Sequence, residues 1–276
     1  AMAIDPIYIA VGDVEDFIAN GGDASLTADD RAGLDIARSA GRVIYEPIRA
    51  AKYHALSAAF ERFARVEWAG GSARAAAFRD YISGERWWLD DYAIFRALHD
   101  REERRSWTEW PEPLRRRDPE ALAQARRELG RDVLFYQYLQ WIAGSQWQHA
   151  RAVANARGVA LFGDLPFMVD THSADVWANQ AQFRLDRSVG VPPDAFSATG
   201  QDWGMPPYDW QSLGANGYGW LRARARRSAA LYDGYRVDHL VGFYRTYSRP
   251  RLTSARPALE PATEAEQEAL GEKVLG

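Results

Sequence analysis

Cysteine is absent from this chain of 276 residues, which excludes disulfides, thiolate-bound metal and a cysteine nucleophile at once. Lysine is nearly absent too, since Lys52 and Lys273 stand alone among 34 lysine and arginine side chains. Acidic and basic charge almost cancel, with a formal net charge of -4. The basic field that nucleic acid or an anionic membrane surface requires is therefore missing. No apolar run is long enough to span a bilayer, and Ala1-Met2-Ala3-Ile4-Asp5-Pro6 lacks the basic and then apolar pattern of a secretory leader. The reading is a cytoplasmic protein with neither nucleic-acid nor membrane partner. His and Asp do not cluster at metal-ligand spacing, and Gly200, Gly204 and Gly217 do not follow a strand in dinucleotide-binding spacing. Neither a metal nor another cofactor is expected. What the chain has in excess is aromatic rings, 13% of residues with 11 Trp; rings stack on sugar faces, and they also fill cores.

Residues 4–26 read as irregular, with Ile7-Tyr8-Ile9 as a candidate short strand. Behind Pro47, the positions Ile48, Ala51, Ala55, Ala59 and Phe63 recur at helical spacing and predict an amphipathic helix ending before Gly70-Gly71. Two further helices are expected, a short one from Ala75 to Ile82 and another from Leu89 through Glu103. The charged stretch from Arg101 to Arg117, with Trp107 and Trp110, reads as a solvated connection. Asp118-Pro119-Glu120 is a helix start. A longer helix follows from Asp132 to Arg157, with Gln137, Gln140, Gln146 and Gln148 read as solvent or capping neighbours.

Val159-Ala160-Leu161-Phe162 is a continuous apolar run, the mark of a strand buried on both faces in a parallel sheet. It ends at Gly163-Asp164. About fifty residues then pass before the next helix, Tyr218 to Tyr232, against the roughly two to six of an ordinary connection. After that helix, Gly234-Tyr235-Arg236-Val237-Asp238-His239-Leu240 reads as a second strand, so the order is that of one enlarged βαβ unit. Side chains alternate along a strand, which sets Arg236 and Asp238 on one face, in a place expected to be buried. A guanidinium beside a carboxylate favours the ionised acid, as suits a nucleophile or a charge stabiliser. The same spacing serves a structural ion pair. Parallel strands joined by helices give a closed (β/α)8 barrel or an open doubly wound sheet, and in both, ligands gather at the carboxyl ends of strands. Asp164 and Asp238 reach one rim from adjacent strands, which favours the site over the structural pair.

Five blocks in the second half carry a resemblance. They are Gly163-Asp164-Leu165-Pro166, Ser173-Ala174-Asp175-Val176-Trp177-Ala178-Asn179, the run from Gly190 through Pro192-Pro193-Asp194 to Gln201-Asp202-Trp203-Gly204, Tyr208-Asp209-Trp210, and Arg236-Val237-Asp238-His239. Asp5-Pro6-Ile7-Tyr8-Ile9 and Trp88-Leu89-Asp90-Asp91-Tyr92 extend the likeness toward the start. Together they resemble the amylomaltases, the 4-α-glucanotransferases of glycoside hydrolase family 77. The resemblance implies an α/β fold, part of a (β/α)8 (TIM) barrel of the α-amylase type with a helical insertion. Residues 1–130 are then mainly the insertion, and residues 131–276 the barrel segment, with a substrate-covering loop over 164–216.

The implied chemistry is retaining transfer of α-1,4-glucan segments between maltodextrins, in which a sugar hydroxyl intercepts a glycosyl-enzyme. Asp238 matches the nucleophile and Arg236 its ion partner. Asp164 and His239 match residues around the ring being cleaved, and Asp194, Gln201 and Trp203 match the loop on the acceptor side. At Ala195 many relatives carry Tyr. His172 reads as a surface residue, Trp177 as an anchor for the loop, and Tyr208 fits either role. The family pattern also continues past Gly276 to an Ala-Glu-Asp-Leu-Gly motif whose Glu is the general acid. Glu264, Glu266, Glu268 and Glu272 do not match it, so a fragment without its acid, inactive alone, is expected. An α-glucan hydrolase and a non-catalytic α-glucan-binding fragment are the alternatives.

Overall fold

The structure is a computed structural model that describes residues 2–195, 197–251 and 256–276; Phe196, inside the acceptor-side motif, lies outside them. The fold is mixed α/β and mostly helical. In chain order the helices are α1 (Glu15–Ala19), α2 (Ala28–Ser39), α3 (Tyr45–Phe63), α4 (Ala73–Arg101), α5 (Glu112–Arg115), α6 (Pro119–Glu128), α7 (Gly130–Ala156), α8 (Ala174–Ala178), α9 (Trp210–Ala215), α10 (Gly219–Leu231) and α11 (Glu264–Leu275). The strands are β1 (Phe162–Leu165), β2 (Arg187–Val191), β3 (Gln201–Asp202), β4 (Gly234–Val237), β5 (Thr246–Pro250) and β6 (Ala258–Glu260). Two compact units result, one formed by Ala3–Arg101 and Leu122–Ala150, the other by Ala1–Met2, Glu102–Ala121 and Arg151–Gly276. Among the described residues no helix is long and apolar enough to cross a membrane.

The first unit is helical and its core is aromatic. Phe63 packs on Phe78 and Tyr138 with ring centroids 5.4 and 5.1 Å away, which accounts for part of the aromatic excess. The two helices expected within residues 75–103 are one continuous α4, because Gly84 costs a helix only about 1 kcal/mol relative to Ala. A row of buried residues, including Phe78, Trp88, Leu89 and Ile94, outweighs that cost. Helix α2 lies where no element was expected, and its start is a capping box in which Thr27 and Asp30 exchange bonds with each other's backbone. Ile7-Tyr8-Ile9 is not a strand: Asp5 caps the 3-10 turn Pro6–Tyr8 by accepting from the Ile7 amide. Of the glutamines of α7, Gln148 is exposed as expected, but Gln137 is buried and two others bind main chain. Gln140, 1% exposed, accepts from Ile4 N at 2.9 Å and donates to Ile4 O at 2.8 Å, and Gln146 does the same to Ala10.

In the second unit β1 and β4 pair in parallel with Asp164 opposite Arg236, and α10 connects them as the βαβ reading requires. The strand begins three residues later than expected, and the apolar run before it is not sandwiched in a sheet. Val159 is exposed and Phe162 is 77% exposed, because in a two-stranded sheet each strand is an edge. The span between β1 and α10 is no open loop. It contains α8, β2, β3 and α9, and β2 and β3 join β5 and β6 in a four-stranded antiparallel sheet of order β3-β2-β5-β6. Among the described residues the strands form these two sheets and not a closed barrel.

The segment expected to be a solvated connection is solvated along most of its length, Glu103–Arg105 and Pro111–Pro113 included, but its two indoles are buried. Trp107 donates its indole N–H to Thr171 O at 2.8 Å. Trp177 donates to Leu114 O at 3.1 Å and meets the Trp110 ring edge-on at 5.8 Å. Trp177 thus anchors the excursion, as its sequence suggested. Charge alone misled here: arginines and glutamates flank two indoles that are themselves almost wholly buried.

Candidate active site

Asp233 ties together the amino ends of β1 and β4, the ends away from the rim. Its amide donates to Leu161 O at 2.9 Å, while its carboxylate accepts from Leu161 N at 2.7 Å, Arg151 Nε at 2.9 Å and Asn155 Nδ2 at 3.1 Å. The Leu161 amide, then Arg151, hold this carboxyl below the usual carboxylate range. From that anchor β1 and β4 run side by side, and the ladder closes with Asp238 N donating to Leu165 O at 3.0 Å.

Arg236 then lies between two carboxylates at the carboxyl ends of both strands. Its Nε and Nη2 donate to Asp164 Oδ1 at 2.9 Å and Oδ2 at 3.0 Å, a two-pronged pair. The same Nη2 lies 3.0 Å from Asp238 Oδ1. The hydrogen bond from Arg236 holds the Asp164 carboxyl below its ordinary value. The cluster is not buried, contrary to expectation: the Arg236 side chain is 67% exposed, since it stands on the open face of a two-stranded sheet. A solvated ion pair of this kind adds little to stability, so its arrangement is better suited to presenting carboxylate oxygens than to holding the fold.

His239, directly after Asp238, adopts the left-handed conformation with φ 47° and ψ 50°, sparsely populated by residues other than glycine. Its ring lies between those of Phe167, at 5.6 Å, and Trp203, at 5.0 Å and nearly perpendicular. The Trp203 indole donates to Gln201 Oε1 at 3.0 Å. Gln201 is in β3, and β3 sits against β2 at Gly190, where a Cβ would come within 2.1 Å of Gln201 O. The structure thereby brings together Asp164, Arg236, Asp238, His239, Trp203 and Gln201. Asp194 shapes the turn between β2 and β3, its Oδ1 accepting from Ser197 N at 2.8 Å. His172 shares a bond with Ser106 Oγ at 2.7 Å. Tyr208 is buried and donates its hydroxyl to Phe167 O. Sequence reasoning passed over Phe167 and Arg224, which lie beneath this rim; the apolar run Phe167-Met168-Val169 was the available signal for the first.

An exposed carboxylate pair bridged by a guanidinium, next to a flat indole and an imidazole, fits a polyhydroxylated ring. Aromatic faces take its apolar side, and carboxylates take its hydroxyls or its electrophilic carbon. The sequence profile of the 4-alpha-glucanotransferase family, glycoside hydrolase family 77, matches residues 1–274. The chain belongs to this family. Among curated relatives, the 4-alpha-glucanotransferase of Synechocystis is 39% identical over 218 residues, 76% of this chain and 42% of the relative. That of Thermus thermophilus is 39% identical over 209 residues, 74% of this chain and 41% of the relative. The chain thus spans about two-fifths of the length of these relatives.

Among solved structures, the amylomaltase of Streptococcus agalactiae in complex with acarbose superposes with a TM-score of 0.78 at 26% identity, covering 100% of this chain and 55% of that one. The Corynebacterium glutamicum amylomaltase gives 0.70 at 27% identity, covering 99% and 37%. The fold is therefore amylomaltase-like, over part of the amylomaltase structure.

Proposed function

We propose that this chain carries the nucleophile side of a retaining 4-α-glucanotransferase site acting on maltodextrins. The observation that carries the reading is the placement of Arg236 between Asp164 and Asp238 at the ends of two paired parallel strands, with the Trp203–His239 wall beside them. In this reading an Asp238 oxygen attacks the anomeric carbon of an α-1,4-linked glucose and the glycosidic bond breaks. The departing oxygen takes a proton from a carboxylic acid, and a hydroxyl of a second glucan, giving its own proton back to that carboxylate, later attacks the same carbon and frees Asp238. Arg236 orients both carboxylates, Asp164 and His239 contact the ring being cleaved, and Gln201, Trp203 and Asp194 hold the acceptor. A covering segment that keeps water out favours transfer over hydrolysis.

The β1–α10–β4 unit is, on this view, a portion of a (β/α)8 barrel, with residues 1–130 mainly a helical insertion and residues 164–216 the substrate-covering excursion. The proton donor comes from outside these 276 residues. Glu266, for one, spends its carboxylate on the amide and hydroxyl of Thr263 in the capping box of α11. The test is incubation with maltotriose, alone and in the context of a full-length family member carrying this sequence. Glucose and longer maltodextrins should appear only in the second case, and Asp238→Asn should abolish them while leaving acarbose binding. Maltotriose turnover by the isolated chain at an enzyme-like rate contradicts the missing donor; water as the main acceptor favours a hydrolase; unchanged behaviour of Asp238→Asn favours a pure binder.

A further inference from the structure

Arg224 is a buried guanidinium, 3% exposed, and the proposed chemistry makes no use of it. Its described partners are two main-chain carbonyls and a phenol. Nη2 donates to Pro166 O at 2.7 Å, and Nη1 donates to Tyr208 Oη at 3.0 Å and to Phe167 O at 3.4 Å. The Tyr208 hydroxyl donates to the same Phe167 carbonyl, and the guanidinium rests 5.0 Å over the Trp220 ring. Burying a charge among neutral groups is a costly way to hold a fold together, and apolar residues of similar volume often serve stability as well. The arrangement does, however, fix the direction of the chain directly after the β1 carboxylate: only Leu165 separates Asp164 from the clamped pair Pro166-Phe167.

Phe167 supports the residues that come directly after Asp238. Its ring lies 5.6 Å from His239 and 4.9 Å from Phe243. It also fills the space at Gly242, where an added Cβ would come within 2.5 Å of it. The 3-10 turn Leu240–Phe243 and the left-handed His239 are thus seated on one buried ring. We infer that Arg224 and Tyr208 are positioning residues that set the His239 imidazole, and with it the Trp203 wall, by clamping the Pro166 and Phe167 carbonyls. Burial pushes the Tyr208 hydroxyl up to about 12, so it remains a proton donor at every pH at which the protein is handled. The inference rests on the glucanotransferase reading only for what His239 touches; the mechanical link is independent of it.

Two conservative variants test the link. Tyr208→Phe removes one hydroxyl and keeps the ring, and Arg224→Lys keeps a charge but cannot reach both carbonyls and the phenol together. Histidine-labelled protein is observed by NMR, with the His239 ring signals assigned from His239→Gln, and acarbose affinity is measured alongside. Both variants should move the His239 signals while leaving His54 and His149 in place. Tyr208→Phe should weaken acarbose binding about fivefold, the worth of one hydrogen bond, with no further loss when His239→Gln is already present. A purely structural role lowers the unfolding midpoint without moving His239, and unmoved His239 signals in folded Tyr208→Phe protein overturn the inference. Should the unaltered chain bind no acarbose, the glucan reading fails while the NMR result still decides the link.

Discussion

Trp177→Phe tests whether the excursion between β1 and α10 is packed structure, and the structure supplies the magnitude. Phe keeps one ring in a wholly buried site but deletes the indole N–H that donates to Leu114 O at 3.1 Å. The Leu114 carbonyl keeps the Arg117 amide, 3.2 Å away, so the lost hydrogen bond costs about 0.5–1.5 kcal/mol. The space vacated by the larger ring costs about 1–2 kcal/mol. The Arg117 guanidinium, 4.3 Å over the indole, loses its better aromatic partner at a cost of about 0.5 kcal/mol. Together these give about 2–4 kcal/mol, and with a urea slope of about 2–3 kcal/mol per molar the midpoint falls by about 0.7–2 M. Urea unfolding followed by circular dichroism reads that shift. Hydrogen exchange should show α8 and β2 losing protection while α3 keeps its own. A midpoint change under about 0.3 M, or uniform loss across the chain, refutes the view that Trp177 pins this segment.

Other sites give further expected outcomes. Asp16 is wholly buried and accepts from Arg62 at 2.8 Å, Arg74 at 3.1 and 2.8 Å and the Tyr138 hydroxyl at 3.0 Å. Asp16→Asn turns an amide toward those donors and should lower unfolding free energy by about 2–4 kcal/mol in a urea titration. Gly190→Ala drives a methyl into Gln201 O, a 2.1 Å approach, so β3 must shift and acarbose binding should weaken with little loss of helicity. Thr27→Ala removes the capping box of α2 and should cost about 1 kcal/mol in the same titration. The hydrogen bond from Arg236 depresses the Asp164 carboxyl below its ordinary 3.8, so the ion pair's contribution is fully present above that value and is lost as pH falls through the lowered one. Carboxyl NMR should show Asp164 titrating below 3.8, and Arg236→Gln should return its midpoint toward that value.

The two ends of this fold were unequally legible in the sequence. The rim was readable because it depends on local rules: alternation put Arg236 and Asp238 on one side, and strand ends delivered Asp164 beside them. The start of α6 was readable for the same reason, since Asp118 accepts from the amides of Glu120 and Ala121. What escaped notice depends on distant partners. Trp107 and Trp110 read as solvated because their neighbours are charged, yet their indoles are buried in the second unit. β2 and β3 were hidden because their pairing with each other and with β5 is antiparallel across more than fifty residues in the latter case, and glycine-proline-rich sequence disguises short strands. The expected burial of the ion pair failed because apolarity around a strand reports what can be covered, not what covers it. Thr27 and Asp30, by contrast, were an available signal for α2, a capping pair at the right spacing.

The central claim is that Asp238 is the carboxylate that takes the glycosyl group, and one measurement reaches it without the proton donor. Fluoride leaves an anomeric carbon without needing to be protonated, so a maltosyl fluoride with a second fluorine at C5 of the reacting ring can glycosylate the isolated chain, and the added fluorine slows release of the product. Mass mapping after digestion should place a maltosyl group on the peptide containing Asp238, absent from Asp238→Asn and reduced in Arg236→Gln. A label on Asp164, or an unmodified Asp238 in protein shown to bind acarbose, contradicts the account.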